Sequence, residues 1–291
     1  MKAKSSCTNL PSTDSSLRVE SILLTVTRVA TRNGESILTN ATGFFFERDD
    51  ELFLITNRHV VCDEPSNHRP DGLELELHIS EANIAEVTSF YIPLYKSDTP
   101  CWREASDSAG LTDVVAIPID RDHWPENAVY RAFTPQHLVE DLHEAEVGTS
   151  LLVIGFPLGF FDQLLHLPVA RQAIIASAFG FRFQGSGCFL TDSRTHRGLS
   201  GAPVVSRFSN HRGRAALPYA LLGVHASRLD VGVRDPSQDE SLGLNCAWYA
   251  DVIMPLTEKR AADADSAESP STEESDTRPE VRPATAVSAK G

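Results

Sequence analysis

An all-β architecture, a sandwich or a pair of barrels, is predicted by three features of this 291-residue chain. Short apolar runs rich in β-branched and aromatic residues recur along it, turn residues separate them, and few segments keep a helical period. Ser21–Val29 reads as the first strand. Gly43–Glu47 and Leu52–Asn57, joined through the charged turn Glu47–Glu51, read as a β-hairpin whose second strand ends at His59. Leu73–Ser80, Val87–Leu94 and Val114–Ile119 follow, then Leu151–Phe156, Ile174–Phe183, Pro203–Arg207 and Tyr219–His225. Between these groups Thr134–Glu146 offers a capping Thr, a Pro in the first turn and Leu138 and Leu142 at i, i+4 spacing, which predicts a short connecting helix. Ala250–Leu256 is expected to close the fold as another. Residues 258–291 hold no aromatic side chain, and residues 1–17 are similarly polar, so neither stretch buries enough surface to offset its ordering entropy and both are expected to be disordered.

Composition narrows the function classes. With 26 Lys plus Arg against 40 Asp plus Glu the formal charge is −14, the wrong sign for coating a nucleic acid or an anionic membrane. The segment Met1 to Ser16 shows no apolar signal core, and no window approaches the roughly 18 apolar residues of a membrane span. A cytoplasmic protein is therefore expected. The 5 cysteines follow no C-x-x-C pattern and read as reduced, mostly buried thiols. Cys62 and His68 lack further ligands at usable spacing, so no metal and no cofactor are expected.

Chemistry is suggested by Gly198-Leu199-Ser200-Gly201-Ala202-Pro203, followed by Val204-Val205. A serine between nearby glycines can sit on a tight turn whose backbone N–H groups face a substrate carbonyl. The string differs from the Gly-x-Ser-x-Gly elbow, and no helix follows it. A base is offered by His59 at the hairpin end, although a lone histidine also fits a satisfied, half-buried structural role. Asp113 opens the apolar run Val114–Ile117 and is a carboxylate in want of a partner, or simply a turn cap, with Asp107 and Asp120 as competitors.

Together these blocks resemble the trypsin-like (chymotrypsin-fold) serine peptidases, in particular the bacterial branch with short loops. Thr56-Asn57-Arg58-His59-Val60-Val61 is similar to that branch's histidine block, Thr112-Asp113-Val114-Val115-Ala116 to its aspartate block, and Gly198–Pro203 to its serine block. The order His, Asp, Ser agrees as well. Val153–Gly159 resembles a strand and turn found early in the family's second barrel.

The resemblance implies two antiparallel six-stranded β-barrels: residues 18–133 with His59 and Asp113, a connection at 134–147, and residues 148–257 with Ser200. It implies Ser200 as nucleophile, His59 as general base and Asp113 as its orienting partner, with the N–H groups of Gly198 and Ser200 as the oxyanion hole. A polypeptide bound in extended form is the implied partner. Leu199 stands where digestive relatives carry an Asp that receives a newly cut N-terminus, which implies an enzyme without that activation step. Ala202 replaces a usual glycine. Leu221–His225 resembles the strand lining the primary pocket, where His225 is similar to the histidine of glutamyl endopeptidases. With Arg194, and with Ala226 and Ser227 as neighbouring substrate-binding positions, it would favour an acidic or Gln side chain. Arg228 would narrow the cleft, and Asp192 and Arg171 are assigned no catalytic task. The rival expectation is a catalytically weak peptidase-fold module that binds peptides or regulates a partner.

Overall fold

The computed structural model describes residues 19–139, 145–207, 216–226 and 243–259. The expected disordered tails lie outside these residues, apart from Glu258 and Lys259. One compact unit ends at Glu258, and of the remainder only Lys259 is described.

In the first half, strands β1 (Val26–Asn33), β2 (Ser36–Arg48), β3 (Glu51–Thr56), β4 (Gly72–His78), β5 (Val87–Pro93), β8 (Arg103–Asp107) and β9 (Gly110–Pro118) form one antiparallel sheet. Its order is β5-β4-β1-β2-β3-β9-β8. The small pair β6 (Tyr95–Lys96) and β7 (Thr99–Pro100) stands apart. In the second half, β10 (Ser150–Gly155), β11 (Val169–Ile175), β12 (Cys188–Asp192), β13 (Pro203–Ser206), β14 (Ala220–Ala226) and β15 (Leu244–Tyr249) close into a barrel, order β10-β11-β12-β15-β14-β13. The all-β expectation therefore holds with one closed six-stranded barrel. The first half departs from it: its sheet has seven strands and is not closed by hydrogen bonds.

The reason for the apolar runs is visible in β2. Phe45 points into a core filled by Leu52, Leu54, Leu73, Leu75, Val115 and Trp124. Phe44 and Phe46, on the opposite face, join Phe53, Ile55, Val114 and Phe133 in a layer shared with Ile154, Phe156, Val205, Leu221 and Val224 of the barrel. A strand buried on both faces reads as a continuous apolar run rather than an alternating one. A third cluster, including Leu151, Val153, Phe189, Leu199, Ala202 and Leu222, fills the barrel itself.

Expected elements change at three places. The strand expected at Ile174–Phe183 overlaps β11 only at Ile174 and Ile175, after which the chain turns. Ser21–Thr25 is a 3-10 turn, closed by the Thr25 hydroxyl donating to the Ile22 carbonyl at 2.7 Å, before β1 begins. In the described part of the helix expected at Thr134–Glu146, Pro135–His137 form a 3-10 turn, and residues 140–144, with Leu142, lie outside the described residues. His137 takes the capping role, its Nδ1 accepting from the Thr134 N–H at 2.9 Å. Leu138 is already extended and bridges to Leu221 of β14, so tertiary pairing overrides the local helical signal. The C-terminal expectation is met by a 3-10 turn at Ala250–Val252 and helix α2 (Ile253–Leu256), preceded in the chain by α1 (Arg58–Val61). Arg48 donates to the Met254 carbonyl at 2.7 Å and Arg103 to that of Glu258 at 2.9 Å, which ties this end back to the first sheet.

Phe46 has no exposed surface, and Phe46→Ala should lower stability by about 3–5 kcal/mol, the usual cost of emptying an aromatic core site. Ile37, 53% exposed, should tolerate alanine within about 0.5 kcal/mol. Urea unfolding of the two variants checks the contrast.

Candidate active site

His59 lies in α1, immediately after β3, rather than on the strand itself. Its backbone N–H donates to Asp113 Oδ1 at 2.9 Å, and its Nδ1 lies 2.7 Å from Asp113 Oδ2. Asp113 projects from β9, which pairs with β3, and Asn57 Nδ2 donates to the Asp113 carbonyl at 2.7 Å. The competitors of Asp113 are occupied elsewhere: Asp120 holds His123 at 2.9 Å and Asp107 holds Arg182 at 2.7 Å. Arg58, beside His59, grips both oxygens of Glu64 at 3.0 and 2.8 Å and Glu104 at 3.0 Å, fixing α1 to β8 and to the following loop. The Arg58 hydrogen bond pulls the Glu64 carboxyl down to about 2.

Ser200 is buried in the turn before β13. Thr42 joins that turn to the rest of the site. Its N–H donates to the Ser200 carbonyl at 3.0 Å, its hydroxyl donates to the Gly198 carbonyl at 2.7 Å, and the same hydroxyl accepts from the Phe156 N–H at 3.1 Å. The Thr56 hydroxyl donates to the Thr42 carbonyl at 2.9 Å. Thr56 is three residues before His59, so this chain of bonds links the serine turn to the base of the histidine helix. Gly198 and Gly201 have φ of +94° and +83°, in the region that favours glycine. A side chain on Gly201 would collide with the Thr42 carbonyl and Thr56, and one on Gly198 with the Phe156 carbonyl.

The Arg197 carbonyl accepts from the Leu158 N–H at 2.5 Å. Leu158 itself takes φ +53° and is held in a loop fastened to the first half. There Glu76 binds both Arg28 at 3.0 Å and His166 at 3.1 Å, and the Arg28 guanidinium lies 5.1 Å over the Phe161 ring. Leu199 has no exposed surface and packs with Val153, Ala202 and Val204 in the barrel core.

His225 on β14 is fully buried. Its N–H donates to the Ala202 carbonyl at 2.8 Å and its carbonyl accepts from the Gly201 N–H at 3.0 Å, so its backbone braces the serine turn. Neither ring nitrogen has a hydrogen-bond partner among the described residues. Burial, with the charge of nearby His59, pushes its pKa down to about 4. Ala226 is buried beside it, whereas Arg194 is exposed and contributes its carbonyl to Arg171. Ser227 and Arg228 lie outside the described residues. A cavity of about 480 Å³ opens beside His59 and Asp113, bordered by Arg58, Leu111, Phe183 and Trp248. Among the described residues no cluster of three metal-ligating side chains occurs, and no helix is long and apolar enough to cross a membrane.

The sequence profile of the trypsin-like peptidase domain matches residues 41–211, more than half of the chain. The protein belongs to the trypsin-like peptidase family. The sequence finds no match among curated proteins. Among solved structures, an HtrA-type protease with a tripeptide is 14% identical with a TM-score of 0.46, over 79% of this chain and 58% of that one. A serine endoprotease from Yersinia pestis is 16% identical with a TM-score of 0.46, over 79% of this chain and 60% of that one. Rv3671c from M. tuberculosis H37Rv, in an inactive form, is 16% identical with a TM-score of 0.42, over 90% and 98%. The chain thus spans about three fifths of the first two structures.

His225 remains neutral in the folded protein down to about pH 4, against 6.5 for an ordinary histidine. The unfolded chain binds the extra proton between these values, so this contribution is complete above about pH 6.5 and is lost as the pH falls toward about 4. The loss is on the order of 3 kcal/mol. His225→Leu should flatten the acid slope, as read from urea midpoints near neutral pH and near pH 4; an equally steep slope in the variant would assign the acid sensitivity to other groups.

Proposed function

We propose that the protein is a serine endopeptidase that hydrolyses peptide bonds through Ser200, His59 and Asp113 and a covalent acyl-enzyme. The observation that carries this reading is the paired contact of His59 with Asp113, side chain to side chain and backbone to side chain. An imidazole held at Nδ1 by a carboxylate presents Nε2 as the base, and the carboxylate stabilises the cation that forms. In this reading Ser200 Oγ attacks the scissile carbonyl, His59 takes its proton, and the N–H groups of Gly198 and Ser200 hold the tetrahedral oxyanion. His59 returns the proton to the departing amine, and water repeats the sequence on the ester to free Ser200. Oxyanion donors of this type are worth about 2.7–4 kcal/mol of barrier each, which gives the braced geometry of Gly198 a purpose.

The seven-stranded sheet takes the place of the family's first barrel in this proposal, with residues 18–133 and 148–257 as the two domains and 134–147 as their connection. An extended polypeptide pairs with a cleft strand as an added β-strand, and specificity is left to pockets. In this reading His225 supplies the primary preference once substrate reaches it: its two ring nitrogens, without partners among the described residues, are matched by a side chain able to donate or accept, which favours Glu or Gln over an aliphatic residue.

A fluorophosphonate should label the wild-type protein at Ser200, and Ser200→Ala should abolish the label and lower casein hydrolysis on the order of a millionfold, as for loss of other triad serines. Labelling that persists at another residue would sink the assignment. Mass spectrometry of peptides released from an unstructured protein should show Glu or Gln preceding the cut. The same profile in His225→Ala would remove that residue from specificity.

A further inference from the structure

Two thiols that hydrolysis does not use stand beside this site. In the register of β12 with β15, Cys188 faces Trp248 and Cys246 faces Leu190. The two cysteines are therefore diagonal neighbours on the same face of adjacent strands. Both are free, and 3% and 5% exposed. Both border the cavity that also holds His59 and Asp113, and β15 packs on β9, the strand that carries Asp113.

Their surroundings make the two sulfurs unequal. The Cys246 thiol donates a hydrogen bond to Cys188, which lowers the pKa of Cys188 against the opposing effect of burial, with help from the Arg182 guanidinium. The same bond, burial and the negative charges of Cys188 and Asp113 push Cys246 well up. Of the two, Cys188 is the more readily deprotonated, and hence the better nucleophile.

We propose that Cys188 and Cys246 are a redox-active pair that a peroxide converts to a disulfide, and that this bond restrains the peptidase. The Cys188 thiolate attacks the peroxide, forming an S–O bond as the O–O bond breaks, and the hydroxide released is protonated to water. Cys246 sulfur then attacks the Cys188 sulfenic acid, the S–S bond forms as the S–O bond breaks, and a second water leaves with the Cys246 proton. Two thiols are oxidised by two electrons and one peroxide is reduced. Diagonal partners stand about 7–8 Å apart at Cα, beyond the roughly 4.4–6.8 Å that a relaxed disulfide spans. Closing the bond therefore requires a local backbone shift along the strand axis between the already paired β12 and β15, beside Asp113, and the strain makes it easily reduced.

The restraint rests on the proposed peptidase activity, whereas the oxidation does not. The full-length protein is treated with hydrogen peroxide, alkylated and digested. A Cys188–Cys246 peptide pair two hydrogens lighter, reversed by dithiothreitol, is the expected result, with fluorophosphonate labelling slowed roughly 10- to 100-fold, since about 1 Å of misplacement costs on the order of 100-fold. Cys246→Ser should halt at a Cys188 sulfenic acid that dimedone traps. Cys188→Ser, with Cys188→Ala as a second variant checked by its melting temperature, should label at a rate indifferent to peroxide. No disulfide at peroxide doses that oxidise Cys101, or equal peroxide sensitivity in the Cys188 variants, overturns the redox pair. A disulfide that leaves labelling unchanged overturns the restraint. A disulfide in a protein that is never labelled even when reduced would refute the peptidase reading and leave the redox chemistry standing.

Discussion

Phe44, Phe46, Phe53 and Ile55 from one half meet Ile154, Phe156, Leu221 and Val224 from the other in a single buried apolar layer, on which the position of the site depends. Such a layer is non-directional: it holds the halves together but sets no ångström-scale position. Position comes from the hydrogen bonds at the edge. Thr42, midway along β2 where its buried half begins, and Thr56, at the end of β3, are both fully buried, and their hydroxyls and backbone groups join the serine turn to the first sheet. The exclusion of water gives those few bonds their directing force, because a buried donor or acceptor left unpaired costs about 1–3 kcal/mol.

The same division explains the supports on the outside of the seam. Arg182 reaches Asp107 at 2.7 Å, and the triad of Arg28, Glu76 and His166 fastens the loop that carries Leu158. These ion pairs are partly exposed, so each adds little to overall stability. Their effect is local. The group of Arg28, Glu76 and His166 steadies the loop whose Leu158 amide donates to the Arg197 carbonyl, on the peptide unit whose nitrogen belongs to Gly198.

Much of this was legible in the sequence, for identifiable reasons. The runs Phe44–Phe46 and Leu52–Ile55 announce strands because both faces are buried, and the His59–Asp113 contact joins two short motifs, one just past the end of β3 and one on β9, which prove to be neighbouring strands. Strands β8, β12 and β15 carried too little signal: Arg103–Asp107 is mostly polar, and Cys188–Asp192 and Leu244–Tyr249 are short and mixed. Leu138 stands at helical spacing from its apolar neighbours in sequence, yet its pairing with Leu221 is a contact no local pattern announces. Thr42 was missed for a similar reason, since its partner Gly198 lies 156 positions away. The clue available was a threonine placed where an aliphatic residue would pack equally well. The Cys188–Cys246 neighbourhood likewise appears only once the register of β12 with β15 is known.

Leu199 gives the serine turn a footing made of the barrel's own interior. An ionic footing can be loosened by salt or by a change in protonation while the rest of the molecule stands. A leucine wedged among Val153, Ala202 and Val204 offers no such handle, because dislodging it means exposing the barrel interior. Assembly of the turn and condensation of the barrel are thereby one cooperative event, and heat that disorders the former must melt the latter.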